Sequence, residues 1–366
     1  MKRILVVFFA LLTFSFAESH LMRFADVQGN KIVFTFENDL WLVEIDEQSF
    51  KGVAQRITRS NGIERFAKFS SDGSKIAFTA NYEGNNDVYL MDLNRVDRTP
   101  IRLTYHPHSD LVLDWMPDGE HILFRAAREY PFRGHKLYKV AATGGFPEKL
   151  SVDRAGLASV SPDGKQLAYN RISREFRTWK RHQGGTAQDI WVGSLDKMNY
   201  KPVTTFPGTD NFPMWYNDYI YFVSDRSDGT LNLYKFHVPS AKITRLTHYN
   251  DYDIKYPSIG DRYIVYQYAE TLYLFDLENE QTIKLNISVP TDRSMARLKP
   301  IDGSKYTGSF ALSPDGNRVV MEMRGEVINL PAEKGPVYNL TNTSGIREKG
   351  AIWSPDGNNV VYLSDK

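Results

Sequence analysis

Cysteine is absent from all 366 residues, which excludes disulfides, thiolate zinc centres and a cysteine nucleophile. Net charge is almost absent too: 45 Lys and Arg against 44 Asp and Glu leave +1. A chain so balanced has no electrostatic case for nucleic acid as a partner. The mean hydropathy of −0.43 excludes a polytopic membrane protein. No G-x-S-x-G elbow, P-loop or dinucleotide glycine pattern occurs anywhere. His106-Pro107-His108 has no further clustered ligand, so neither a metal nor a cofactor is expected. No catalytic residue is expected within this chain.

The one long apolar run spans Ile4 to Phe16, behind Lys2 and Arg3 and ahead of Ser15-Phe16-Ala17. Those three parts make a secretory signal peptide over residues 1–17. The run is shorter than the ~20 residues of a membrane span. Cleavage after Ala17 would leave no membrane attachment. An exported chain without thiols suits the periplasm or the exterior.

Aromatic residues are plentiful at 13% and favour strands. A turn followed by a short apolar strand recurs along the chain. Ser71-Asp72-Gly73 precedes Ile76, Pro117-Asp118-Gly119 precedes Ile122, and Ser161-Pro162-Asp163-Gly164 precedes Leu167. Strands of this kind begin at positions 32, 76, 122, 167, 220, 264, 319 and 360. Proline presets φ in such turns, Asp bonds the nearby backbone, and Gly takes the left-handed position. Each unit carries four strand-like pieces, and the fourth reads Arg56-Ile57-Thr58, Arg102-Leu103-Thr104 and Arg245-Leu246-Thr247. Four strands per 40–50 residues describe a propeller blade.

The fold class is therefore all-β: a six-bladed β-propeller followed by the start of a second propeller. The expected boundaries are a six-bladed ring over 22–288, a linker over 289–301, and incomplete first blades of the second ring over 302–366. Asn286–Pro300 shows no clear strand alternation and holds two prolines. Strand order stays in phase from Met22, so ring closure by side-chain packing is expected, without a shared-strand clasp.

The longest excursion is RISREFRTWKRHQGGTAQ, residues 171–188. Arg171, Arg174, Arg177, Lys180 and Arg181 stand there against Glu175 alone. The neighbouring blade adds Arg128 and Arg133. Together with Phe132, Phe176 and Trp179 these make a basic, aromatic rim. Its chemistry suits a carboxylate or acidic chain end, because the guanidinium fork grips a carboxylate through two bonds. The bland alternative is a solvated charged loop. Asp110, Asp210, Asp251 and Asp253 lie on connectors of the same face; they could pair with the rim or bind basic groups, and pairing is favoured.

Several strings resemble the bacterial homologues of tricorn protease: FSSDGSKIAFTANYEGNNDVYLMDL (69–93), RLTYHPHSDLVLDWMPDG (102–119), ISREFRTWKR (172–181), GTDNFPMW (208–215), IYFVSDRSDGTLNLY (220–234) and PAEKGPVYNLTNTSGIREKGAIWSPDG (331–357). The resemblance implies a six-bladed propeller followed by a seven-bladed one, then PDZ and catalytic domains beyond residue 366. It implies a homo-oligomeric serine peptidase acting on peptides, whose propellers channel substrate and product. It also implies that basic residues of the six-bladed ring anchor a peptide C-terminus. Arg128 and Arg133 are the best matches for that role, followed by Arg174, Arg177 and Arg181. The archaeal type is cytoplasmic, so the export signal is a departure, and a cytoplasmic location is the alternative. A stand-alone TolB-like periplasmic propeller that binds a protein partner is the alternative.

Overall fold

The apolar triplets that follow the turns become the second strands of successive antiparallel sheets. Ser161-Pro162-Asp163-Gly164 shows how the turn is made. Ser161 Oγ donates to Asp163 at 2.6 Å, Gly164 N reaches Ser161 O at 2.8 Å, and Gly164 sits at φ +71°. Gln166 N then donates to Ser161 Oγ, and the second strand begins.

The computed structural model describes residues 19–129, 134–176, 180–292, 297, 301–343 and 345–366. The expected leader, residues 1–17, lies outside the described residues. The chain divides into two compact units, Met1–Ser294 and Met295–Lys366.

Among the described residues, the first unit holds six four-stranded sheets, each with strands in simple chain order. Their first, innermost strands are Arg23–Gln28, Glu64–Phe69, Asp110–Trp115, Ala158–Val160, Asp210–Tyr216 and Ile254–Ile259. Each sheet is one blade of a β-propeller.

Second strands are buried on both faces, because a blade lies on either side. Ile32 and Phe34 pack with Val265, Leu272 and Leu274 of the sixth blade. Val33, one residue out of phase, packs with Ile76 and Phe78 of the second. This is the period of two read on both faces, and it explains why the triplets are apolar throughout. The Arg-x-Thr pieces fasten the outer strands. Thr58, Thr104 and Thr247 each accept a third-strand amide, from Leu40, Val88 and Leu233. In each piece the Arg Nε donates to the carbonyl of its own Thr.

Ring closure differs from the expectation of side-chain packing alone. Asn286–Ser288 forms a strand, parallel to Lys51–Val53 on the outside of the first blade. Ser19 N donates to Ile287 O at 3.1 Å, and Val289 N donates to Ser19 Oγ at 2.9 Å. Leu285, Ile287 and Val289 drive this pairing by burial in the cluster shared by the first and sixth blades. The alternation Leu-Asn-Ile-Ser-Val is a strand pattern, so the expectation that Asn286–Pro300 shows no strand alternation is corrected at Asn286–Ser288.

The second unit repeats the blade pattern. Thr307–Leu312, Arg318–Met323, Glu326–Pro331 and Tyr338–Asn339 form a four-stranded sheet, and Glu348–Trp353 pairs with Val360–Ser364. Its core is small, built on Val320, Val327 and Ala351.

Candidate functional site at the axial mouth

Five of the six innermost strands of the first unit carry a register shift near their start. In four of these the shift places an aromatic residue in the left-handed region: Phe24 at φ +52°, Phe66 at +55°, Phe212 at +56° and Tyr256 at +49°. Such a conformation in a bulky residue costs ~1–3 kcal/mol and marks positions where aim outweighs local comfort. The four aromatics line the axial cavity of the ring. Phe24 meets Phe66 at 4.7 Å and Tyr256 at 4.6 Å between centroids, and Phe212 meets Tyr256 at 6.0 Å.

Each of these aromatics follows a polar residue and precedes Ala or Pro: Arg23-Phe24-Ala25, Arg65-Phe66-Ala67, Asn211-Phe212-Pro213 and Lys255-Tyr256-Pro257. Of the cations in these triplets, Arg23 and Arg65 act on Tyr256 and Lys255 lines the adjoining cleft. Burial holds the Arg65 guanidinium below its ordinary value. Tyr256 is pushed up by burial and by the Glu175 charge, against the pull of Arg23 and Arg65. The cavity beneath is about 80 Å³ and reaches Lys68, Asp114, Ser159 and Ser258. Lys68 Nζ lies 3.4 Å from Asp26. Burial pushes Asp114 up to about 6, with the Lys68 charge opposing and the Asp26 charge assisting.

The third and fourth blades bring the loop instead of an aromatic. Arg125, on the second strand of the third blade, forms an ion pair with Glu175, and both side chains are 3% exposed. Arg125 also donates to Ser173 Oγ at 2.9 Å, which lies 3.3 Å from His135 Nδ1. Gln188 Nε2 donates to Ile172 O at 2.8 Å, and Lys180 meets Asp253 at 3.0 Å. Phe176 then stands among Phe24, Phe66 and Tyr256, at 6.2, 6.0 and 5.8 Å. Next to it a cleft of about 420 Å³ is lined by Arg174, Lys180, Phe212, Lys255 and Tyr256 among others.

The residues expected to grip a carboxylate are not gathered together. Arg128 is committed inside the third blade. Its Nε donates to buried Asp110 at 3.0 Å, its second nitrogen also meets that carboxylate, and its guanidinium lies 5.1 Å from the Phe124 and Tyr138 rings. Arg128, expected as a rim anchor, is thus paired with Asp110. Arg174 is exposed and lines the cleft. Arg181, at φ +55°, lies against Gly229 of the fifth blade. Arg133 and Arg177 lie outside the described residues, as do Phe132 and Trp179. Asp110 and Asp253 pair with Arg128 and Lys180 of the expected rim, whereas Asp210 pairs with Arg226, which is not part of it. Among the described residues no cluster of three or more metal-ligating side chains occurs. No helix among them is long and apolar enough to cross a membrane.

What sequence reading missed was the mouth itself: Arg23, Arg65, Arg125 and Lys255 with Phe24, Phe66, Phe212 and Tyr256. The available signal was the recurring polar–aromatic–Ala/Pro triplet at the start of innermost strands. Loop length drew attention elsewhere.

Residues 19–281 match the family model described as the tricorn protease N-terminal beta propeller domain. A tricorn protease homolog of Saccharolobus solfataricus is 26% identical over 348 residues, covering 94% of this chain and 31% of that protein. The crystal structure of the tricorn protease superposes with a TM-score of 0.67 at 22% identity, over 91% of this chain and 32% of that one. A putative TolB from Agrobacterium tumefaciens shares the fold at a TM-score of 0.51 and 18% identity, over 66% of this chain and 90% of that one. The chain spans about a third of the length of the curated relatives it matches first.

Proposed function

The chain belongs to the tricorn protease family through its N-terminal β-propeller domain, and on that premise we propose that its six-bladed ring handles peptides for a tricorn-like serine peptidase, holding their C-terminal carboxylates at the axial mouth. One observation carries this reading: four aromatic rings at equivalent positions of different blades line the axial cavity, with Arg23 and Arg65 acting on Tyr256 and Lys255 lining the adjoining cleft. A peptide end offers the matching chemistry, a carboxylate beside apolar side chains. Charge-assisted bonds to a carboxylate are worth roughly 1.5–3 kcal/mol each where shielded and fall to about 0–1 kcal/mol where exposed.

The peptidase chemistry itself belongs, in this reading, to domains other than this propeller. Ser173 and His135 touch, yet Arg125 donates to the same hydroxyl and fixes it as part of the loop anchorage. Homo-oligomeric assembly and export by residues 1–17 are part of the same proposal for the whole protein. The export reading rests on the leader sequence alone.

Calorimetric titration with Ala-Ala-Phe as free acid and as amide tests the proposal. The acid should bind, the amide at least tenfold more weakly, and added salt should reduce the difference. Equal binding of the two forms would sink it.

A further inference from the structure

Glu175 and Phe176 together present a carboxylate and an aromatic ring one residue apart, and the mouth receives both. The carboxylate reaches Arg125 through Oε1, while Oε2 is buried and has no hydrogen-bond partner. The ring touches three of the four axial aromatics, yet Phe176 remains 48% exposed. A core phenylalanine of this ring is different: Phe34, Phe78, Phe124 and Phe222 are fully buried. Phe176 therefore rests in the mouth like a guest.

The loop's other anchors, Gln188 with Ile172 and Lys180 with Asp253, lie to either side of this pair. Exchange of Glu175–Phe176 for another carboxylate and side chain would leave them in place. The half-satisfied carboxylate also lowers the cost of leaving, since a buried charge with an unpaired oxygen is a poor stabiliser.

We infer that Glu175–Phe176 is an internal competitor, occupying a site that accepts the terminal carboxylate of a peptide together with a large apolar or aromatic side chain at or next to its C-terminus. The inference rests on the peptide-handling reading above and adds the ligand class and its control. A site occupied by its own chain about nine-tenths of the time weakens apparent affinity about tenfold, and removing the occupant restores it.

The test is a titration of the 366-residue chain and its Phe176→Ala and Glu175→Gln variants with Ala-Ala-Phe and Ala-Ala-Ala, each as acid and amide. Both variants should bind the Ala-Ala-Phe acid about tenfold more tightly than the unaltered chain, with a smaller gain for Ala-Ala-Ala. Hydrogen exchange on the unaltered chain supplies a reading free of folding defects. Saturating peptide should speed exchange at residues 174–176, because that segment is displaced. Equal or weaker binding by Phe176→Ala, or unchanged or slower exchange at 174–176, overturns the competitor. If the unaltered chain still prefers acid to amide in that case, the peptide-handling reading survives alone. Absence of that preference in every form removes both.

Discussion

Arg128 lies across the carboxylate of Asp110, eighteen residues upstream, with Asp110 fully buried and the Arg128 side chain 13% exposed. The pair ties the start of the third blade's innermost strand to the end of its second. Removing the guanidinium leaves a buried carboxylate without its counterion, which costs ~3–5 kcal/mol. Arg128→Ala should lower the urea midpoint accordingly. The acid-over-amide peptide preference should persist at temperatures where that variant is folded.

Peptide binding should follow the axial cations. Arg65→Ala and Lys255→Ala should each weaken the free-acid peptide by about threefold to tenfold, the range expected for ~0.7–1.4 kcal/mol from partly exposed charge-assisted bonds. Arg181→Ala, out against Gly229, should change it by less than about twofold. Calorimetry on the three variants separates the axis from the loop tip, and the reverse ranking would return the site to the loop.

Asp114 gives stability a pH dependence of known sign. Its carboxyl is raised to about 6 by burial in the folded chain, against 3.8 for the free group. Between those values the folded state keeps a proton that the unfolded state has released. Stability from this group is thus present at low pH and is lost as pH rises through about 6. Asp114→Asn keeps an acceptor for the Trp115 amide. It should raise the melting temperature relative to the parent at pH 7.5, and the gain should vanish near pH 4.

Ile287 is fully buried where the ring closes. Ile287→Ala should cost about 2–5 kcal/mol by transfer and cavity terms. The same substitution at exposed Ile352 of the second unit should change the unfolding midpoint little. A shallow effect at Ile287 would mean that the terminal strand contributes nothing to holding the ring.

The leader is checked by N-terminal sequencing of the protein from its native host. Cleavage after Ala17 puts Glu18 at the new N-terminus. An intact Met1 in the mature protein would remove the proposal of a cleaved leader.

The blades were legible because their turns are chemically obligatory. Asp163 and Gly164 perform one job, and Asp72-Gly73, Asp315-Gly316 and Asp356-Gly357 repeat it. Two-sided burial likewise writes itself into the sequence as unbroken apolar triplets such as Ile32-Val33-Phe34. The clasp was written as well, in Leu285, Ile287 and Val289, but Pro290 just beyond it hid the strand alternation. The mouth was the hardest to see. Phe24, Phe66, Phe212 and Tyr256 lie in strands whose regular alternation breaks at a bulge, so periodicity gives no hint that they converge. Arg125 sits next to last in its strand, where a charged residue reads as solvent-facing, and only the folded loop supplies Glu175 as its partner.

Ser19 touches both Ile287 and Val289, so the ring's first and last residues stand side by side. The six-bladed unit is therefore a closed circuit with a single seam. Joining residue 289 to residue 19 through a short bridge, and opening new ends at the exposed Pro117-Asp118-Gly119 turn, should yield a circular permutant with every blade intact. Because entry and exit share one point, the ring forms a cassette: chain on either side can lengthen, shorten or be exchanged without rethreading a strand.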